Sequence, residues 1–291
     1  MKSINFILLS CIATLFILSG CVNPKKETVQ EYKTDQAYTL KNVKYGSDNQ
    51  QVMDIYLPAG RSLDSTKVFV LIHGGGWNAG DKQDFSYMFD NMQLVYPNHA
   101  IININYRLGS PQKPGYPMQL NDIKAALTFV KQAKFNVSNQ FLLMGASAGG
   151  HLSLLYSYKS DELHEVKAIC NIVGPVDFTD PAYVDGTNPV TQYFLANLVG
   201  PITFQDNPTL YQEVSPAFNV HSNCPPTISF YGDSDPLIPS SQMNRLHDKL
   251  DQMGVYNEKT MYAGEGHGNW NSTNNQDFSL KLVTFINQFF K

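Results

Sequence analysis

The sequence predicts an α/β protein: a mostly parallel sheet of about eight strands with helices on both faces. Three observations carry that expectation. Short, nearly unbroken apolar runs recur along the chain, helix-period runs alternate with them, and two further strand-like runs precede the series. A parallel strand covered on both faces meets no water on either side, so it needs Val, Ile and Leu at consecutive positions.

Each element can be justified in turn. Residues 38–46 (YTLKNVKYG) and 50–60 (QQVMDIYLPAG) read as a leading hairpin, which makes the sheet mixed. Residues 67–73 (KVFVLIH) form a β-rich run that ends in glycines, and 100–108 (AIININYRL) alternate Ile with Asn before a polar loop. Residues 118–135 carry apolar side chains at helical spacing. A strand at 140–147 (QFLLMGAS) then leads into a helix at 148–158. Residues 166–174, 227–233 and 259–267 continue the strands, with helices at 240–254 and 276–290. Prolines between Pro175 and Pro226 recur amid Phe178, Tyr183, Tyr193, Phe194, Phe204 and Tyr211. This stretch is expected to be an irregular insertion acting as a lid or pocket wall, the alternative being a packed loop decoration. The 291 residues, 43% hydrophobic, suit one large domain over residues 36–291.

A formal net charge of −4 and the lack of a basic run argue against a nucleic-acid partner. The N-terminus has a different character. Lys2 precedes the apolar run Phe6–Leu18 (FILLSCIATLFIL), which is too short to span a bilayer and fits the core of an export signal over residues 1–20. Leu18-Ser19-Gly20-Cys21 resembles the bacterial lipobox. That resemblance implies cleavage before Cys21, lipidation of its thiol, a polar tether over residues 21–35, and a membrane partner reached through the lipid anchor. The expected location is the bacterial cell envelope, at the outer membrane. Cys170 and Cys224 are then the thiols left in the domain, and no CxxC pairs them with a metal or redox motif.

Gly145-Ala146-Ser147-Ala148-Gly149 matches G-x-S-x-G between a strand and a helix, the context in which a serine is thrust up at the carboxyl edge of a sheet. Such a turn also arises by chance, so its company decides. His73-Gly74-Gly75-Gly76-Trp77 follows a β-rich run, and its glycines leave backbone amides unshielded. The amides of Gly75, Gly76 and Ala148 are the candidate oxyanion donors. A phosphate loop is disfavoured because neither G-x-x-x-x-G-K-[ST] nor G-x-G-x-x-G is present in context. Among the seven histidines, His267 alone lies in a Gly-rich loop after a late strand and is the candidate base. His73 reads as a loop-holding residue, His151 as a packing residue, and His164 and His247 as solvated. Asp235 is preferred as the acid over Asp233, which lies nearer the strand and suits a turn cap. Glu265 is a third choice, expected to point away from His267.

Ser147, Asp235 and His267 follow the chain order of α/β-hydrolases. With HGGGW, GASAGGHL, the run from SPAFNV to YGDSDPLIP, and GEGHG, residues 36–291 resemble that superfamily. Within it they resemble esterases related to hormone-sensitive lipase and to bacterial feruloyl and acetyl-xylan esterases. The resemblance implies the α/β-hydrolase fold and hydrolysis of carboxylic esters through an acyl-enzyme. It also implies a small-molecule or glycan ester as substrate, and Asp235 as the acid of a Gly-x-x-Asp-x-x-Ile-Pro pattern. Such chemistry requires no metal and no organic cofactor. The large N-terminal cap of the hormone-sensitive-lipase group is absent, so the insertion before Pro226 must shape the pocket. An amidase or exopeptidase with the same triad is the alternative activity, and a non-catalytic binding module a more distant one.

Overall fold

The computed structural model describes residues 31–185 and 189–291. The export-like segment, Cys21 and the tether up to residue 30 lie outside the described residues. Eight strands form one sheet: β1 (Tyr38–Lys44), β2 (Val52–Leu57), β3 (Val68–Ile72), β4 (Ala100–Ile104), β5 (Phe141–Ala146), β6 (Val166–Ile172), β7 (Thr227–Gly232) and β8 (Asn257–Tyr262). Their order is β1-β2-β4-β3-β5-β6-β7-β8. The β1–β2 and β2–β4 pairs are antiparallel and the others parallel, so the expected hairpin extends the β4 side of a parallel sheet. This is the α/β-hydrolase fold.

Strand β3 explains why the sheet needs cover on both sides. Its five side chains are fully buried, and successive residues point to opposite faces. Val68, Val70 and Ile72 join one core, with α2 (Met118–Val130) and α3 (Ala148–Leu155). Phe69 and Leu71 join the other, with α1 (Ser86–Val95) and α8 (Ser272–Phe289). Each such aliphatic or aromatic side chain contributes about 1.5–3 kcal/mol by leaving water. Asn103 within β4 and Asn105 just after it serve the loop after the HGGGW segment. Asn103 donates to the Lys82 carbonyl at 2.6 Å, and Asn105 donates to Asp81 at 2.6 Å. Buried Lys82 in turn pairs with Asp54 of β2 at 3.0 Å.

Several expectations need correction. The insertion is not irregular: it contains α4 (Pro181–Val184), α5 (Pro189–Val199) and α6 (Pro208–Glu213), each with proline in its first turn, where a missing N–H costs nothing. His247 is not solvated. It lies on the inner face of α7 (Ser241–Gln252), fully buried, with Nδ1 2.6 Å from Asn257 Oδ1. The helix after Ser147 ends at Leu155 and continues to Ser160 as a π-turn. Helix α1 had no clear periodic signal, since only Phe89 and Met92 of it are buried. Ordered packing also starts before residue 36. Tyr32 stacks on Phe135 at 5.7 Å, and its carbonyl accepts from Arg61 at 2.6 Å. Cys170 and Cys224 are both buried free thiols.

Candidate active site

Strand β5 delivers Ser147 to the carboxyl edge of the sheet, and α3 starts at the next residue. Ser147 has φ 54° and ψ −121°, a conformation that side chains rarely adopt. Its amide donates to Ile172 O at 2.8 Å, and its carbonyl accepts from His151 N at 3.0 Å, so the surrounding backbone holds the strain. The turn works only because Gly149 has no side chain: a Cβ there would collide with the carbonyl oxygens of Ile72 and His73. Ala148 opens α3, so its N–H has no carbonyl partner within the helix.

The glycine loop sits beside this turn. Gly75 and Gly76 have φ 107° and 56°, which frees their amides from the geometry of the preceding strand. Three bonds fix Trp77 at the end of the loop. Its carbonyl accepts from Gly109 N and Gln119 Nε2, both at 2.7 Å, and its indole Nε1 donates to His151 Nδ1 at 3.1 Å. Because the indole can only donate, His151 Nδ1 is the acceptor and Nε2 carries the proton, donated to Val214 O at 2.7 Å. Burial pushes the His151 pKa down to about 4 despite the Val214 carbonyl. This neutral imidazole joins the glycine loop, the serine helix and the insertion. His73 holds the loop as expected, with Nδ1 2.7 Å from Gly74 O and its ring stacked 4.3 Å from Tyr106.

Asp235 and His267 meet across the ends of β7 and β8. His267 Nδ1 lies 2.6 Å from Asp235 Oδ2, and the other carboxylate oxygen accepts the amides of Leu237 and Ile238 at 2.8 and 3.0 Å. The Asp235 side chain is 1% exposed against 23% for His267, so one partner is fixed and the other faces the cavity. Asp233 instead accepts from Gly264 N at 2.6 Å and ties the two loops together. Glu265 turns away to the start of α8, where it accepts from Asn271 N at 3.1 Å and Asn274 at 2.7 Å.

Ser147, His267, Gly75 and Gly76 line one cavity of about 1180 Å³. Phe178, Tyr183, Phe194 and Leu195 of the insertion form one wall. The other comes from Phe85, Tyr87 and Met88 with Trp270, Gln276 and Phe278, a wall for which the sequence offered no signal. Strained backbone concentrates here as well: Trp77 and Val173, with φ 65° and 46°, also line the cavity.

Fold and site together set a strained serine turn, a histidine–aspartate pair and a glycine loop on an α/β-hydrolase scaffold. Residues 53–250 match the BD-FAE family, and the chain belongs to it. Esterase LipC of Mycobacterium tuberculosis is 26% identical over 245 residues, covering 78% of this chain and 59% of that protein. Esterase LipQ of the same organism is 25% identical over 237 residues, covering 75% and 54%. The chain thus spans between half and three-fifths of the length of these relatives. Among solved structures, a truncated carbohydrate esterase from gut microbiota superimposes with a TM-score of 0.70 at 24% identity, covering 87% of this chain and 98% of that one.

Proposed function

We propose that this protein is a serine esterase that cleaves carboxylic esters through an acyl-enzyme. Ser147 is the nucleophile, His267 the base, Asp235 the acid that orients it, and Gly75, Gly76 and Ala148 supply the oxyanion-binding amides. One observation carries the reading: the strained serine turn and the 2.6 Å His267–Asp235 contact share a cavity with the glycine loop. A carboxylate only accepts, so neutral His267 presents Nδ1–H to Asp235 and keeps Nε2 free as a base. Nε2 takes the Ser147 proton as Oγ attacks the ester carbonyl. The imidazolium then protonates the leaving alcohol, and water, deprotonated in turn by His267, releases the acid. Each oxyanion donor contributes about 10²–10³ in rate.

The substrates in this reading are short-chain or carbohydrate-linked acyl esters. Support comes from the esterase names of the relatives, the carbohydrate esterase with the same fold, and a cavity open toward α8. The test is fluorophosphonate labelling of the mature protein together with turnover of a 4-nitrophenyl ester series. Labelling and turnover are expected, and both should vanish in Ser147→Ala. Equal labelling of that variant would refute the assignment.

For the N-terminus we retain the lipoprotein reading, which rests on the Phe6–Leu18 run and the Leu18–Cys21 motif. Wild-type protein should partition with membranes and Cys21→Ala should not. Membrane partitioning of Cys21→Ala would defeat the reading.

A further inference from the structure

The two ends of the cavity differ. Phe178, Tyr183 and Leu195 belong to the core on the α2/α3 face of the sheet, whereas Phe85, Trp270 and Phe278 belong to the α1/α8 face. Ser147 stands at the sheet edge between them, so the cavity straddles the nucleophile. The insertion end is enclosed: Phe178, Tyr183 and Leu195 are 1%, 4% and 2% exposed. At the other end Tyr87, Asn275, Gln276 and Ser279 are exposed, forming an open lip. An ester with a bulky alcohol fits in one direction only. The alcohol leaves first and needs the open end, while the acyl group stays bonded to Ser147 and suits the enclosed one.

The enclosed end carries one unexplained group. The Tyr183 hydroxyl is buried, belongs to a residue lining the cavity, and has no hydrogen-bond partner among the described residues. A buried polar atom without a partner destabilises a fold, and native structures rarely keep one without a reason. The ring packs 5.6 Å from Phe178, a contact that phenylalanine would make equally well. Burial, then the neighbouring Tyr231 and the Asp180 and Asp235 carboxylates, hold the phenol far above its ordinary pKa, so it stays neutral and able to donate.

We infer that Tyr183 is a specificity-determining residue whose hydroxyl hydrogen-bonds an oxygen carried by the acyl group beyond its ester carbonyl. This rests on the esterase reading with Ser147 as nucleophile. A hydrocarbon acyl chain leaves the hydroxyl unpaired in the complex, and an oxygenated one pairs it. Sites built to bond a substrate hydroxyl reject the analogue that lacks it for the same reason.

The test compares matched 4-nitrophenyl esters: 3-hydroxybutanoate against butanoate, and 3-(4-hydroxyphenyl)propanoate against 3-phenylpropanoate. The unsubstituted protein should favour the oxygenated member of at least one pair in kcat/KM by about tenfold, equivalent to ~1.4 kcal/mol. Tyr183→Phe should erase that preference while Tm holds or rises. The inference is overturned by the absence of any preference in the unsubstituted protein, by its survival in Tyr183→Phe, or by an equal loss on both members of a pair. A fall in Tm of several degrees would also overturn it, because it would reveal a structural partner for the hydroxyl. Failure of the unsubstituted protein to hydrolyse any of the four esters would sink the esterase reading itself, a separate and visible result.

Discussion

Acidification from pH 7 to pH 4.5 should remove much of this protein's stability through histidines that the fold keeps neutral. His151 and His247 are fully buried, and burial lowers both pKa values from 6.5 to about 4. The sign follows from linkage. Above pH 6.5 both residues are neutral in the folded and unfolded states and the shift has no effect. Between pH 6.5 and about 4 the unfolded chain binds protons that the folded chain refuses, so unfolding becomes easier as pH falls. Each histidine contributes a loss of roughly 3 kcal/mol by pH 4, and the pair a slope approaching 2.7 kcal/mol per pH unit. A domain stable by about 5–15 kcal/mol cannot absorb that unnoticed. Burial lowers the pKa of His73 and His99 as well, which adds to the slope with the same sign. The carboxyls of Asp54 and Asp180 belong to another window. Burial alone would raise them, but hydrogen bonds and nearby cations hold both below 3.8, so their contribution is lost only at lower pH. Urea unfolding at pH 7, 6, 5 and 4.5 measures the slope, and His247→Phe should reduce it by about 1.4 kcal/mol per unit. A flat profile between pH 6 and 4.5, or a slope unchanged in His247→Phe, would refute the reasoning.

The two aspartates of the acid loop should separate cleanly. Asp235→Asn replaces the carboxylate acceptor of His267 Nδ1 with an amide that favours the wrong tautomer, and kcat for 4-nitrophenyl esters should fall about 10⁴-fold. Asp233→Asn weakens a loop tie to Gly264 N while leaving the His267 contact alone. It should keep kcat within tenfold and lower the midpoint of thermal unfolding by a few degrees, read by circular dichroism. A dead Asp233→Asn beside an active Asp235→Asn would reverse the assignment.

Much of the scaffold was legible because burial on both faces writes itself into consecutive positions. Phe69, Leu71 and their neighbours had to be apolar, and the runs show it. The positions of Ser147, Asp235 and His267 were legible for a different reason: each closes a strand, and glycine marks the turns around Ser147 and His267. What stayed hidden depended on contacts between distant segments. His247 looked solvated because α7 carries charge at neighbouring positions, yet its own position faces the sheet. Helix α1 was missed because its apolar residues do not keep to one face, with Tyr87 and Leu94 82% and 80% exposed, and with it went the cavity wall at Tyr87 and Met88. The three helices of the insertion were hidden by proline, which breaks a helix interior but starts a helix well.

The bridge at His151 shows why the insertion and the chemistry cannot be varied independently. Its ring accepts from Trp77, which ends the glycine loop, and donates to Val214, which lies near the end of the insertion. A neutral imidazole with one donor and one acceptor is the group that satisfies both partners at once. A protonated ring would set a donor against the indole N–H, and an aliphatic residue would leave two buried polar atoms unpaired. The wall that would select the acyl group and the amides that would stabilise its oxyanion are thus linked through a residue with one usable protonation state, beside the direct bond from Asn78 to Tyr193 at 2.7 Å. A change in the insertion that moves Val214 therefore reaches the glycine loop through this hydrogen-bonded ring, and under the proposed esterase reading a pocket reshaped there should alter rate as well as affinity.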